Sequence, residues 1–142
     1  MTIGAILAKR TGEVVSIRPD ATIADAVRLL EARRIGALPV LDGDTLLGVF
    51  SERDVIHCLA EHAGATLAAP VANGMTSPAI TVSRDTPVLA ALSLMTQRRI
   101  RHLPVIENNR LIGFMSIGDL VKYRMDRIEQ EASAMRDYIV SG

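Results

Sequence analysis

The sequence predicts an α+β fold made of two copies of one strand–helix–strand–strand–helix unit. Three observations carry this. Arg34-Ile35-Gly36-Ala37-Leu38-Pro39-Val40 returns 65 residues later as Arg99-Ile100-Arg101-His102-Leu103-Pro104-Val105, and the offset holds without a gap from about residue 17 to residue 56. Identical residues at that spacing include Asp20/Asp85, Leu29/Leu94, Gly48/Gly113, Ser51/Ser116 and Asp54/Asp119, so the match is an internal duplication. Within each copy, short β-branched runs alternate with stretches of helical periodicity. The chain has 142 residues, 49% of them hydrophobic, and a mean hydropathy of +0.25. That is enough for one compact body, whereas a single copy of about sixty residues buries a marginal core alone. The two copies are therefore expected to share a core.

Taken in order, Ile3 to Leu7 form a short apolar helical turn that Gly12 breaks. Val14 to Ile17 is a β-branched run, ended by Pro19-Asp20. Thr22 is the predicted N-cap of the first long helix, with Asp25 three residues on, close to a capping box. Ile23, Ala26, Val27 and Leu30 recur at i, i+3, i+4 and i+7, the apolar stripe of an amphipathic helix. Arg33-Arg34 suits the dipole at its end. Leu38 to Leu41 reads as a strand, Asp42-Gly43-Asp44 as a turn and Leu46 to Phe50 as the returning strand. Ser51 caps a second helix to about His62, where Gly64 stops it.

Residues 65–74 form a low-charge connector containing Pro70, between a first repeat over 1–64 and a second over 75–124. In the second copy Ile80 to Val82 is the strand, Thr86 the N-cap and Pro87 the first helical residue. Val88, Ala91, Leu92 and Met95 form the stripe, and Leu103 to Ile106 with Leu111 to Met115 form a hairpin around Asn108-Asn109. Ser116 caps a last helix that reaches about Ile139, making 125–142 a helical extension. Its residues Ile128, Ala132, Met135 and Ile139 stand at 4-3-4 spacing, an apolar seam expected to pack on the body or on a second chain. A frayed tail is the alternative.

Sixteen basic and sixteen acidic residues give zero formal charge. This argues against bulk electrostatic binding to nucleic acid or an anionic membrane. It leaves little repulsion between copies, which favours self-association. Aromatics are 3% and Trp is absent, so the core is expected to be aliphatic. The single cysteine, Cys58, cannot form an internal disulfide and fits a reducing cytoplasm, the predicted location. No apolar run reaches the length of a membrane span. Met1 to Arg10 carries its charges after its apolar stretch, unlike a signal peptide.

The residues that bear chemistry are few. Ser51-Glu52-Arg53-Asp54 and Ser116-Ile117-Gly118-Asp119 each read first as a helix cap, and compatibly as a helix N-terminus open to a phosphate with a carboxylate for a vicinal diol. Periodicity does not choose between the two. Arg101-His102 sits at a helix end, where cations complement the dipole or neutralise a phosphate. The first copy has Gly36-Ala37 there, so one lining is expected to be basic and the other small and neutral. His57, Cys58 and His62 lack metal-ligand spacing, and no nucleophile set or phosphate-cradling glycine loop is legible. Neither a metal nor enzymatic chemistry is predicted.

Arg-Ile-x-x-Leu-Pro-Val, a hairpin, then Gly-x-x-Ser-x-x-Asp occurs twice in register, and Asn73-Gly74-Met75-Thr76-Ser77-Pro78 precedes the second copy. This pattern resembles a pair of cystathionine-β-synthase (CBS) domains of the stand-alone bacterial type, from Ile3 to about Lys122. The resemblance implies a pseudo-twofold (Bateman) module of two β-α-β-β-α repeats, with two clefts that bind adenosine compounds. AMP is the leading candidate, with ADP, ATP, NAD and S-adenosylmethionine as alternatives. In similar proteins the Ser and Asp opening the last helix of one copy hold phosphate and ribose. The first strand and the residues before Leu-Pro of the other copy enclose adenine. Carried onto this chain, one cleft takes Ser116 and Asp119 with Val15, Gly36, Ala37 and Leu38. The other takes Ser51, Arg53 and Asp54 with Thr76, Ile80, Arg101, His102 and Leu103. Arg101 and His102 match phosphate-contacting positions. A regulatory homodimer is expected, through the CBS faces and, from its apolar seam, the C-terminal helix as the dimer or output surface, with an unidentified target protein and no catalytic cofactor. An interaction module with vestigial clefts is the alternative.

Overall fold

In the computed structural model, which describes residues 1–10 and 12–141, the duplication appears as two helix–hairpin–helix units of matching outline. A short helix α1 (Ile3–Leu7) comes first, followed by α2 (Ile23–Arg33), β1 (Ala37–Asp42), β2 (Thr45–Ser51) and α3 (Glu52–His62). Two 3-10 turns, Ala63–Ala68 and Val71–Asn73, lead into α4 (Val88–Arg98), β3 (His102–Glu107), β4 (Arg110–Ser116) and α5 (Ile117–Ser141).

Thr22 closes a full capping box on α2: its hydroxyl accepts from the Asp25 N–H at 3.1 Å, and its own N–H donates to the Asp25 carboxylate at 3.2 Å. The stripe residues Ile23, Ala26 and Leu30 are buried. α2 ends on Arg34 at φ 53° and α4 on Arg99 at φ 54°. Left-handed backbone at a non-glycine residue costs about 1–2 kcal/mol, so both copies hold their arginine there against a local preference. The hairpins β1–β2 and β3–β4 are antiparallel and carry the same bulge, at Val40/Leu41 and Val105/Ile106. Asn108 and Asn109, both at positive φ, form the tight turn of the second.

Several local expectations need correction. Val14–Ile17 and Ile80–Val82 do not form extended strands; Ile17 and Val82 each make one parallel bridge, to Val40 and Val105. In the first copy Pro19 has no N–H with which to continue the ladder. In the second the chain turns away at Ser83, whose N–H donates to the Thr86 hydroxyl. Thr86 is therefore not the cap of α4; Pro87 holds that place without a side-chain cap. Gly64 does not stop α3 either. The stop is Ala63 at φ 48°, and the buried Thr66 hydroxyl donates to the Cys58 carbonyl at 2.8 Å just beyond it.

The repeats do not share one core. Each has its own: Ile23, Leu30, Leu38, Val40 and Phe50 anchor the first, and Val88, Met95, Leu103, Val105 and Met115 the second. What joins them is an exchange of leading segments. Ile3 and Ile6 of α1 lie in the second core, while Val71, just ahead of the second repeat, lies in the first. The backbone bonds match: the Ile3 N–H donates to Thr86, and the Val71 N–H to Ala21. Gly48 and Gly113 permit the crossings. A Cβ on Gly48 would come within 2.5 Å of the Thr76 carbonyl oxygen, and one on Gly113 would press on the Leu7 side chain.

α5 leaves the body after its first turns. Leu120 is its only buried residue among those described, and Tyr123 packs on the second core. The apolar seam does not fold back on the body: Ile128 is 49% exposed, Met135 60% and Ile139 68%.

Candidate functional site

Two clefts lie between the repeats, and each is built around one hairpin-to-helix junction. At the start of α5 the Ser116 N–H donates to the Asp119 carboxylate at 2.8 Å, and the Asp119 N–H donates to the Ser116 hydroxyl at 3.1 Å. Ser51 and Asp54 repeat this at 2.8 and 3.4 Å on α3. The first helical N–H groups, on Ile117 and Glu52, donate to the carbonyls of Arg101 and Gly36 at 2.8 and 3.0 Å. Among the described residues the next N–H groups, on Gly118 and Arg53, have no partner. Each junction thus keeps an unsatisfied donor at the positive end of a helix, the local chemistry of an anion site.

The first cleft, of about 650 Å³, brings Ser116 and Asp119 together with Val15, Gly36 and Ala37. The second, of about 320 Å³, brings Ser51, Arg53 and Asp54 together with Thr76, Ile80, Arg101 and His102. Two expected lining residues are misplaced. Leu38 and Leu103 are fully buried in the two cores, within continuous buried runs that also take in Pro39 and Val40, and Pro104 and Val105. The expected contrast between a basic and a neutral lining also fails. Arg10, Arg34 and Arg84 supply the first cleft with the cations that Gly36-Ala37 lacks. Each cleft then sets three arginines against two carboxylates, Glu13 and Asp119 in the first, Glu52 and Asp54 in the second.

A family model for the CBS domain matches residues 4–61 and again 69–126. The chain belongs to the CBS-domain family. A CBS domain-containing protein of Arabidopsis thaliana, the mitochondrial CBSX3, is 35% identical over 87% of this chain, which spans 62% of that protein's length. The crystal structure of the CBS-domain containing protein ATU1752 from Agrobacterium tumefaciens superposes with a TM-score of 0.82 and 37% identity, covering 87% of this chain and 92% of the other. CBSX2, whose crystal structure is a complex with AMP, superposes with a TM-score of 0.75 and 27% identity over 88% and 96%.

Within this CBS pair the two junctions are occupied differently. In the first cleft the Arg10 guanidinium forms an ion pair with Asp119 and donates to the Phe114 carbonyl at 3.2 Å. In the second, Asp54 accepts from the Thr76 hydroxyl at 3.0 Å, and Arg53 reaches the Arg99 carbonyl at 3.1 Å. Burial pushes the Asp119 carboxyl up; the Ser116 hydrogen bonds and Arg10 outweigh it, and the group lies below the usual carboxylate range.

His102 faces both clefts. Its ring stacks on Phe114, with centroids 5.5 Å apart and planes 14° from parallel. Gly36 makes room for it: a Cβ there would approach the ring to 3.3 Å. Burial, and then the Arg101 charge, lower the imidazole's pKa, more than Glu52 and Asp119 raise it. Near neutral pH the ring is uncharged, a hydrogen-bonding and stacking group rather than a cation. Arg10, Arg84 and Phe114 were not singled out from the sequence; Arg34 and Arg99 entered as the first residues of the duplicated motif and not as cleft residues.

A third cavity, of about 570 Å³, lies under α3 and is lined by His57, Cys58, Glu61 and His62. Glu61 sits 3.3 Å from His57 and 3.6 Å from His62. Among the described residues no three metal-ligating side chains converge, and none of the helices is long and apolar enough to cross a membrane.

Proposed function

We propose that this CBS pair is a regulatory module that binds an adenine nucleotide, AMP foremost, in the clefts between its repeats, as a binding and not a catalytic protein. One observation carries the reading. Each Ser-x-x-Asp helix start opens onto a cleft whose far wall belongs to the other repeat, with arginines in excess over carboxylates. The AMP complex of CBSX2 supports the ligand class.

In this reading the Asp carboxylates accept from the ribose diol, and the helix N-termini with neighbouring arginines take the phosphate. Val15 with Gly36 and Ala37, and Ile80 in the other cleft, flank the base. Asp119 must exchange Arg10 for the ribose, which frees a guanidinium beside the phosphate. A ligand regulates only if it favours one arrangement of the module over another, and the crossing segments at the cleft edges are the parts a ligand would bias.

Calorimetric titration with AMP, ADP, ATP, NAD and S-adenosylmethionine tests the proposal. At a hundredfold excess over Kd a bound nucleotide adds about 2.7 kcal/mol, a rise in melting temperature on the order of 5–10 °C. Asp54→Ala and Asp119→Ala should each remove one site, and the double variant both. No response to any compound overturns the reading in favour of an interaction module with vestigial clefts.

A further inference from the structure

Among the described residues, Gly36, His102 and Ser116 line both clefts. They form the partition between the two sites, and His102 is the member that brings an ionisable ring to it. The strand pairing explains its place. His102 stands opposite Ser116 in the β3–β4 ladder, beside the α5 start that serves the first cleft, while its neighbour Arg101 lines the second. The stack on Phe114 holds the ring there. A Cβ on Gly36 would lie 3.3 Å from the ring's Cε1 and 3.6 Å from its Nε2, so the ring fills the gap that this glycine leaves. In the first copy the same register sets Ala37 opposite Ser51, and Ala37 lines the first cleft alone. Where the duplication would put a second imidazole there is a methyl group.

A neutral imidazole has one N–H donor and one lone pair, whereas an imidazolium donates from both nitrogens. The neutral ring can serve a phosphate on one side only, and to an anion on the other side it turns a lone pair. The charged groups that face it are Arg101 on its own strand, Glu52 at the start of α3 and Asp119 on α5, itself paired with Arg10. A phosphate in either cleft adds negative charge beside the ring and favours the imidazolium. We propose that His102 couples the two clefts: while its ring is neutral, a phosphate held in one cleft weakens the binding of a phosphate in the other, and protonation of the ring relieves the conflict. The coupling rests on the nucleotide binding proposed above and adds its regulation. The weakening is mutual, and filling both clefts takes up a proton, so the second nucleotide binds more tightly as pH falls.

Calorimetric titration of the full chain with AMP at pH 8 and pH 6, on either side of the ordinary imidazole range, tests this, with adenosine as the ligand that lacks a phosphate. Two unequal clefts give two constants without coupling. The readout is therefore the product of the parent's two dissociation constants divided by the product of those of Asp54→Ala and Asp119→Ala, each of which keeps one cleft. For AMP this ratio should be about five or more at pH 8 and fall toward unity at pH 6. Binding of the second AMP should take up a proton, read from the heats in two buffers of different ionisation enthalpy. Adenosine should give a ratio near unity at both pH values. The same cycle built on His102→Ala, which copies Ala37, should give a ratio near unity for AMP throughout. Built on His102→Gln, whose amide keeps a donor and an acceptor but does not titrate, it should give the same raised ratio at pH 8 and pH 6. A raised ratio that survives in His102→Ala is direct repulsion between the phosphates and overturns the coupling. So does a parent ratio near unity at pH 8, one that does not fall at pH 6, one that falls equally in His102→Gln, or AMP binding confined to one cleft in every variant. In each of these AMP still binds and the nucleotide reading stands; a chain that binds no AMP at either pH overturns both.

Discussion

Two side chains at the clefts set how the protein responds to acid. The Asp119 carboxyl lies below its ordinary value, so its contribution is complete above about pH 4 and is lost as pH falls through the lower folded value. His102 is lowered as well, and a base lowered on folding favours the folded state only while it is neutral. Its contribution is present above about pH 6.5 and declines as pH falls toward the folded value. Melting curves from pH 8 to 5 should slope downward in the parent and flatten in His102→Gln. The gap between the parent and Asp119→Asn should close only below pH 4. The Arg10 pair is partly exposed, so Arg10→Ala should change stability by no more than about 1 kcal/mol, while weakening AMP relative to adenosine if the freed guanidinium serves the phosphate. The Ser/Asp caps were legible in the sequence because a capping box is a local pattern four residues long. Arg10 was not, because it meets Phe114 across 104 residues of chain and no local pattern signals the contact.

Among the elements, the helices and hairpins could be read from periodicity and turn residues, as could the capped starts at Thr22, Ser51 and Ser116, whereas the ends set by neighbouring segments could not. Pro19 silences the ladder after Ile17, and Pro87 displaces Thr86 as the cap of α4; both effects depend on where a neighbouring segment passes. The glycines on the hairpins make the same point in a measurable form. Gly48→Ala meets a backbone carbonyl that cannot swing aside, and overpacking of this kind costs about 1–3 kcal/mol. Gly113→Ala meets the end of the Leu7 side chain, which can rotate, so it should cost distinctly less. Denaturant midpoints of the two variants decide the order. Ser51→Ala should cost about 1 kcal/mol through the lost cap of α3, read from the same curves.

At the scale of the whole molecule the duplication was visible and the way its halves join was not. The repeats align at an offset of 65, but the exchanged segments are related by 68: Ile3 corresponds to Val71, as their bonds to Thr86 and Ala21 show. Three extra residues between segment and repeat hide the correspondence from any fixed-offset comparison. The expected single core fails for the same reason, since each half fills its interior with residues delivered from outside the repeat. Ile3→Ala should cost about 2–5 kcal/mol, and Val71→Ala somewhat less. Hydrogen exchange should show the first opening α4 and β3, and the second opening α2 and β1.

The crossed segments also bear on how the molecule closes. A half-chain with one leading segment and one repeat carries a peg it cannot seat and a socket it cannot fill, so two halves are self-complementary. Covalent linkage makes that closure intramolecular, with an effective concentration in the millimolar range for a short tether. The integrity of the later repeat therefore depends on the earliest residues of the chain, and removing the first seven is a lesion of the half that begins some seventy residues downstream.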